Sequence, residues 1–530
     1  LSPTGGEAAE EAMAVSRRSV LLQGAVIGAG VIASGVPGMK ALAAGQPPQR
    51  RSLQGLAWND PIVATYRDGV GLLKQKPATD KISWAGLAGI HGIDPNAYHF
   101  CPHGNWYFLP WHRAYILTYE RVIRDLTSNN DFALPYWDWT TSPAMPEVFV
   151  TPTTPDGKKN PLFVNDQDFE RRWKRTWPAS EPMPARYVGP AVLQDILHSA
   201  DYETFGTSRP QGQDTVDPSW VLDGSGDQGT LEGLAHNMVH NSIGGWMPSA
   251  MSPRDPIFFM HHCNLDRLWA LWNSLGNANS DDALWTGMTF TDNFINTDGS
   301  SYSPKVSDLF VPETLGYSYG LATQVASAAA SPNLLELQNK LVTLRAPGIA
   351  RSADVKTFSV ASTGQAFGTA THPLALSVNV DPGLIAAVTK RKPVPSGAEF
   401  LNFAAAREQR ATGARVLAFV RDVAFTKPQD TEYRVFLDHP DLNAQVPVSD
   451  PGYVGSFGVF FHGEHDGHGG HGKSNPSFVL DLTGTVQRVY GSGQPPTGGL
   501  KLQFVPVPIR PDASVGTVRP GRVEIAFINA

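Results

Sequence analysis

Histidine spacing constrains this chain more than any other feature of its sequence. In the run Leu231-Glu232-Gly233-Leu234-Ala235-His236-Asn237-Met238-Val239-His240, His236 and His240 stand four residues apart. On a helix, that spacing puts both imidazoles on one face, one turn apart, within reach of a single metal ion. A third donor follows 22 residues later in Asp255-Pro256-Ile257-Phe258-Phe259-Met260-His261-His262-Cys263-Asn264-Leu265-Asp266-Arg267. Adjacent helical residues point about 100° apart, so only one of His261 and His262 joins that ion easily, and the other packs or orients it. Asp266 has two openings, a hydrogen bond to a ligand ring or an ion pair with Arg267, and the ion pair is the expectation.

A second cluster lies upstream: His91, His99, His103 and His112. On a continuous helix His103 and His112 would stand about 13 Å apart, too far for one ion. Pro102, Gly104 and Pro110 are expected to break the helix, so that a loop folds His103 back over the start of the helix carrying His112. His91 closes a preceding helical segment, with Gly92 as its cap. His99, in Tyr98-His99-Phe100, reads as a packed histidine.

With only two cysteines, Cys101 and Cys263, four-cysteine zinc sites and a disulfide framework are excluded. Any metal must be held by histidines and carboxylates. Two sites of three neutral imidazoles suit copper or zinc. Their duplication on facing helices favours two copper ions that bind dioxygen between them.

The 530 residues are too many for one ordinary core and suggest two domains behind a leader. A net charge of −7 argues against nucleic-acid or anionic-membrane partners. Ser16-Arg17-Arg18-Ser19-Val20-Leu21-Leu22, the apolar run that follows and Ala41-Leu42-Ala43 are laid out as a twin-arginine export signal, with Met13 a candidate start. The expected location is therefore periplasmic or extracellular. Apolar periodicity predicts helices over 81–90, 111–126, 231–243 and 257–275. Beyond about residue 346 the runs 415–425, 433–437, 453–461, 477–490, 500–507 and 522–528 read as strands or strand pairs of a β-sandwich.

His-x8-His within Cys101-Pro102-His103-Gly104-Asn105-Trp106-Tyr107-Phe108-Leu109-Pro110-Trp111-His112-Arg113, then His-x3-His, then Asp-Pro-Ile-Phe-Phe-Met-His-His-Cys-Asn-Leu-Asp-Arg, resembles the tyrosinase, polyphenol oxidase and haemocyanin family. The resemblance implies that His91, His103 and His112 bind one copper ion and His236, His240 and His262 the second. Tyr317-Ser318-Tyr319 matches the motif that ends the catalytic domain in this family. The expected fold class is therefore α+β: a leader over 1–45, a mainly α catalytic domain over 46–320 with a four-helix bundle holding the dicopper site, a linker over 321–345, and a C-terminal β-sandwich over 346–530.

Further roles follow from the same resemblance. Cys101 is a candidate for a thioether to His103, against a free thiol or a disulfide with Cys263. Glu232 and Asn237 match residues that hold a water acting as base towards monophenols, which favours tyrosinase over pure catechol oxidase. Asn241, Ser249 and Phe259 are candidate pocket residues. The segments Tyr433-Arg434-Val435-Phe436-Leu437-Asp438 and Tyr453-Val454-Gly455-Ser456-Phe457 resemble the domain that shields latent polyphenol oxidases, implying an aromatic or apolar plug of unknown position. The implied partners are small phenols and dioxygen, with no nucleic acid, no membrane in the mature form, and a homo-oligomer allowed. His462, His465, His468 and His471 lie in a Gly-rich loop read as solvated and outside the site. The alternatives are a catechol or o-aminophenol oxidase, a haemocyanin-like oxygen carrier and a dizinc hydrolase.

Overall fold

The computed structural model describes residues 46–529, apart from 165–173, 322–331, 346–351, 391–411, 461–474 and positions 95, 363, 492, 494, 495, 497 and 498. The leader and the His-rich loop lie outside the described residues.

Asp60 caps helix α1 (Pro61–Gln75) by accepting from the Ile62 N–H, and Pro61 occupies the first turn, where its missing donor costs nothing. Ser83 caps the short α2 (Trp84–Gly89) in the same way. Helix α3 (Phe108–Thr127) is buried along most of its length and packs on both α1 and α5 (Ile257–Ser274). Between them in sequence, a π-helical turn at Leu231–His236 runs into α4 (Asn237–Ile243).

The structure corrects three helical expectations. Pro110 does not break α3; it sits in the first turn, where no intrahelical donor is needed, so the helix starts at Phe108. The stretch 81–90 shrinks to α2, and the long helix against α3 is α1, whose pattern was missed. The segment 231–243 is π-helical before it is α-helical.

Beyond the α-rich region, α6 (Pro332–Arg345) occupies the segment expected as a linker and buries Leu337, Leu341 and Leu344. Two sheets follow. One has the order β6 (Tyr453–Phe457), β5 (Thr431–Leu437), β8 (Leu500–Pro508), β3 (Leu374–Val378). The other has the order β1 (Asp227–Gln228), β7 (Ser477–Asp481), β4 (Arg415–Arg421), β9 (Arg522–Ile528), β2 (Val355–Ala361). Their facing side chains, among them Val416, Val435, Phe457, Phe504 and Ile525, form one apolar cluster, separate from that of the helices. The segment 477–490 is half strand and half helix α7 (Thr483–Tyr490), because after Asp481 its apolar residues recur at helical spacing. The strand expected over 453–461 ends at Phe457, and the chain then leaves the sheet.

The helical region lends the second sheet an edge. β1 pairs in parallel with β7, Asp227 opposite Ser477 and Gln228 opposite Phe478, and Arg421 pairs with Asp227 at 3.2 Å. A buried network closes the other end of the helical region. Asp266 accepts from Arg113 (2.5 Å), Arg50 (3.1 Å), Tyr317 (2.8 Å) and Tyr319 (2.5 Å), and Glu120 takes Arg50 at 2.8 Å. Asp266 thus does not pair with Arg267. The two side chains diverge on the helix, and Arg267 reaches Asn264 and Asp138 instead. The Tyr317 and Tyr319 hydroxyls fasten the end of the helical region to α5.

Candidate metal centre

His91 follows directly after α2 and its cap residue Ile90. Gly104, at φ 64°, turns the loop after His103 back towards α3; a side chain there would be strained and would meet the Gly224 carbonyl oxygen at 2.6 Å. His112 projects from the start of α3, His236 and His240 from the π turn and α4, and His262 from α5. The donor atoms of His91, Cys101, His103 and His112 lie within 4.8 Å of one another, as do those of His236, His240, His261 and His262. The two groups face each other: the rings of His112 and His262 stack at 4.2 Å and those of His103 and His236 at 5.6 Å.

All six expected ligands are buried, and burial lowers their basicity, that of His91 to about 3. Neutral imidazoles with a free lone pair are what a metal requires. Nδ1–H of His91 donates to the Ala250 carbonyl (2.5 Å), that of His112 to Phe108 (2.8 Å), that of His240 to Met247 (2.6 Å) and that of His236 to the Asn237 side-chain oxygen (2.8 Å). Each of these bonds fixes the tautomer that leaves Nε2 free. Nε2 of His91 and His236 is buried with no protein partner. Nε2 of His240 and His262 are 3.2 Å apart, close to the ~3.3 Å expected of two imidazoles on one tetrahedral ion with bonds of about 2.0–2.1 Å. The donor set therefore fits two nitrogen-bound ions such as copper.

His261 and His262 differ in their hydrogen bonding. Trp139 Nε1–H, which can only donate, lies 3.2 Å from Nδ1 of His261. Nδ1 of His261 is thus the acceptor, its proton sits on Nε2, and that nitrogen has no lone pair for a metal. His99 is exposed, stacks on Phe100 at 3.8 Å and stays outside the cluster.

Other expected site residues are placed less uniformly. Phe259 does not line the centre: it stacks on Tyr119 at 3.5 Å inside the helical core, whereas Phe258, one position earlier, lies 4.1 Å from His262 and 5.3 Å from His91. The roughly 100° step between helical neighbours explains the exchange. Ser249 hydrogen-bonds the Trp246 carbonyl and the Met251 N–H, bracing the turn whose Met247 and Ala250 carbonyls orient His240 and His91. Cys101 and Cys263 are both free and buried, so no disulfide joins them. Burial holds the Cys101 thiol well above its ordinary pKa, with Sγ 3.7 and 4.0 Å from the two ring nitrogens of His103.

Glu232 is buried. It accepts from the Gly104 N–H at 2.8 Å and from the Thr207 hydroxyl, and burial pushes its carboxyl up to about 8. Asn237 donates to Gln228 Oε1 (2.9 Å) and the Gly458 carbonyl (2.8 Å); no direct hydrogen bond joins it to Glu232. Asn241 donates to the Val459 carbonyl (3.1 Å) and the Pro428 carbonyl (3.2 Å).

The residue that sequence reasoning could not name is Phe460. After β6, Gly458 N–H donates to the Gly233 carbonyl at 2.8 Å, and a side chain there would meet Met238 Sδ at 2.6 Å. The chain passes over the π turn and delivers the Phe460 ring to 4.5 Å from His240, 4.8 Å from His103 and 5.3 Å from His236. The available signal was Gly458, a glycine interrupting an aromatic strand pattern.

Residues 81–275 match the model of the common central domain of tyrosinase. Relatives include a tyrosinase of Hahella sp. (strain CCB-MM4), 27% identical over 313 residues, covering 51% of this chain and 62% of the relative. Another is a chloroplastic polyphenol oxidase of Vitis vinifera, 28% identical over 286 residues, covering 48% of this chain and 45% of the relative. The chain thus spans about half the length of the curated relatives it matches. Latent aurone synthase, a polyphenol oxidase, shares the fold at a TM-score of 0.57 and 18% identity, covering 91% of this chain and 90% of that structure. Latent apple tyrosinase does so at 0.56 and 19%, covering 92% and 99%. Both histidine groups lie inside residues 81–275, the part of the chain that matches the common central domain of tyrosinase.

Proposed function

We propose that the protein is a dicopper phenol oxidase that ortho-hydroxylates monophenols and oxidises o-diphenols to o-quinones, exported by the twin-arginine route and latent as folded here. The observation that carries this reading is the pair of facing, buried three-imidazole groups, four of whose rings (His91, His112, His236 and His240) are oriented through Nδ1 so that Nε2 is free. His91, His103 and His112 would hold one ion and His236, His240 and His262 the other. Two copper ions held there supply the binding and activation of dioxygen. The protein supplies orientation, through carbonyls fixed by the Ser249 turn, and an aromatic wall at Phe258 that excludes water. A carboxyl poised near neutral pH suits a proton acceptor, and Glu232 is assigned that role towards the phenol, with Asn237 beside His236. Cys101 Sγ lies 3.3 Å from His112 Nε2 and at near-equal 3.7 and 4.0 Å from the two His103 ring nitrogens, which fits a thioether at the carbon between those two, formed with dioxygen as the two-electron oxidant and seen by mass as the loss of two hydrogens.

Latency is assigned to Phe460. It occupies the space a phenol ring needs between His103, His236 and His240, and its segment engages the amides of Asn237 and Asn241. Among the described residues no helix is long and apolar enough to cross a membrane.

The test is copper content per chain together with turnover of L-tyrosine and L-DOPA before and after limited proteolysis. Two copper ions per chain, with both substrates consumed more rapidly after proteolysis, are expected. Oxidation of L-DOPA alone would make the protein a catechol oxidase, and dioxygen uptake reversed by evacuation with no catechol oxidation would make it a carrier.

A further inference from the structure

Glu232 is an acid without a cation. Its side chain takes part in no ion pair among the described residues; its oxygens meet only the Gly104 N–H and the Thr207 hydroxyl. Thr207 is buried, and Glu232 is the only hydrogen-bond partner of its hydroxyl among the described residues. That asymmetry fixes the direction of the bond. If Thr207 donates, a carboxylate receives two donors and every polar hydrogen is used. If a protonated Glu232 donates instead, the Thr207 hydroxyl hydrogen is left without an acceptor among the described residues, at a cost comparable to a lost hydrogen bond. Thr207 therefore favours the ionised carboxyl against the burial that opposes it.

Thr207 is held in place by backbone. It forms an antiparallel bridge with Gln228, whose side chain accepts from the Asn237 amide at 2.9 Å. One bridge thus supports both polar residues beside His236: Glu232 through Thr207, and Asn237 through Gln228. Gly104, which supplies the second donor to Glu232, directly follows His103. The carboxyl is thus held by two donors, the Gly104 N–H in the loop after His103 and the Thr207 hydroxyl.

We propose that Thr207 is a positioning residue for monophenol hydroxylation, acting through Glu232 by donating a hydrogen bond that orients the carboxylate and favours its charged form. The assignment rests on the reading of Glu232 as the proton acceptor. Catechol oxidation, which makes a smaller demand on a base, depends on Thr207 far less.

The experiment compares Thr207→Val, which keeps shape and loses the hydroxyl, with Thr207→Ser, which keeps the donor, in the full chain. The ratio of L-tyrosine to L-DOPA turnover is measured, so that differences in latency cancel. Infrared spectra of the metal-free proteins follow the Glu232 carboxyl band, identified by its loss in Glu232→Gln. Thr207→Val is expected to lower the ratio about tenfold or more and to move disappearance of the band up by about one to two pH units, the effect of one charge-assisted hydrogen bond. Thr207→Ser is expected to match the parent in both. An unchanged ratio and band in Thr207→Val would overturn the assignment, as would a Thr207→Ser protein shifted as far as Thr207→Val. Failure of the underlying reading is separate: Glu232→Gln would then hydroxylate tyrosine normally, whatever Thr207→Val does to the band. Copper content and a cooperative thermal transition near the parental values show that each variant has folded.

Discussion

The ring of Phe460 stands 4.5 Å, centroid to centroid, from that of His240. One side chain from beyond the sheet region thus packs directly on a histidine of the second cluster. Phe460→Ala should raise L-DOPA turnover of the unproteolysed chain at least about tenfold, and its thermal midpoint should fall. The loss should stay within about 3–5 kcal/mol, the range for emptying a buried phenylalanine site. Unaltered turnover in a folded, copper-loaded variant would remove Phe460 from its role as plug.

His261 and His262 make an internal control. Because Trp139 keeps the His261 proton on Nε2, His261→Phe should retain two copper ions per chain by elemental analysis. His262→Phe should retain about one. If His261→Phe loses an ion, the tautomer argument fails.

Docking of the sheet region should respond to acid through Glu432. Burial pushes this carboxyl up, but the Arg434 and Arg186 guanidinium groups outweigh it and hold it below the ordinary 4.5. Tyr187, on the same turn as Arg186, and Ser456, on β6, also donate to it. A carboxyl depressed by folding contributes stability that is full above its unfolded value and lost as pH falls through its folded value. Latency should therefore weaken as pH drops below about 4.5 and recover on neutralisation. Glu432→Gln should show weakened latency already at pH 7 and a smaller acid step, read as L-DOPA turnover after brief exposure at each pH.

Glu232 carries the opposite sign. Its carboxyl is raised from 4.5 to about 8 in the metal-free fold, so its protonated form favours folding at low pH and that contribution is lost as pH rises towards and through 8. Calorimetry of the metal-free proteins should show Glu232→Gln gaining thermal midpoint over the parent as pH is raised from about 5 to about 9. A gap that does not change with pH would mean that the buried carboxyl is not ionising in this range.

The sequence alone determined which histidines could cluster and most of the frame. Histidines four apart on a helix can only share a face, Gly104 can only mark a turn, and the alternating Val523, Ile525 and Phe527 can only be one face of a strand, now buried in β9. These are local consequences of backbone geometry, and geometry is written in spacing. What spacing cannot carry is direction between distant segments. The tautomer of His261 turned on Trp139, 122 residues away in sequence, and the pairing of Asp266 turned on Arg113 and Arg50 rather than its neighbour. The place of Phe460 beside the histidines was not legible because its strand pattern says where β6 runs, not where the chain goes once Gly458 releases it. Each of those outcomes depends on which surfaces meet when the helices and the sheets are packed, and only tertiary structure brings them together.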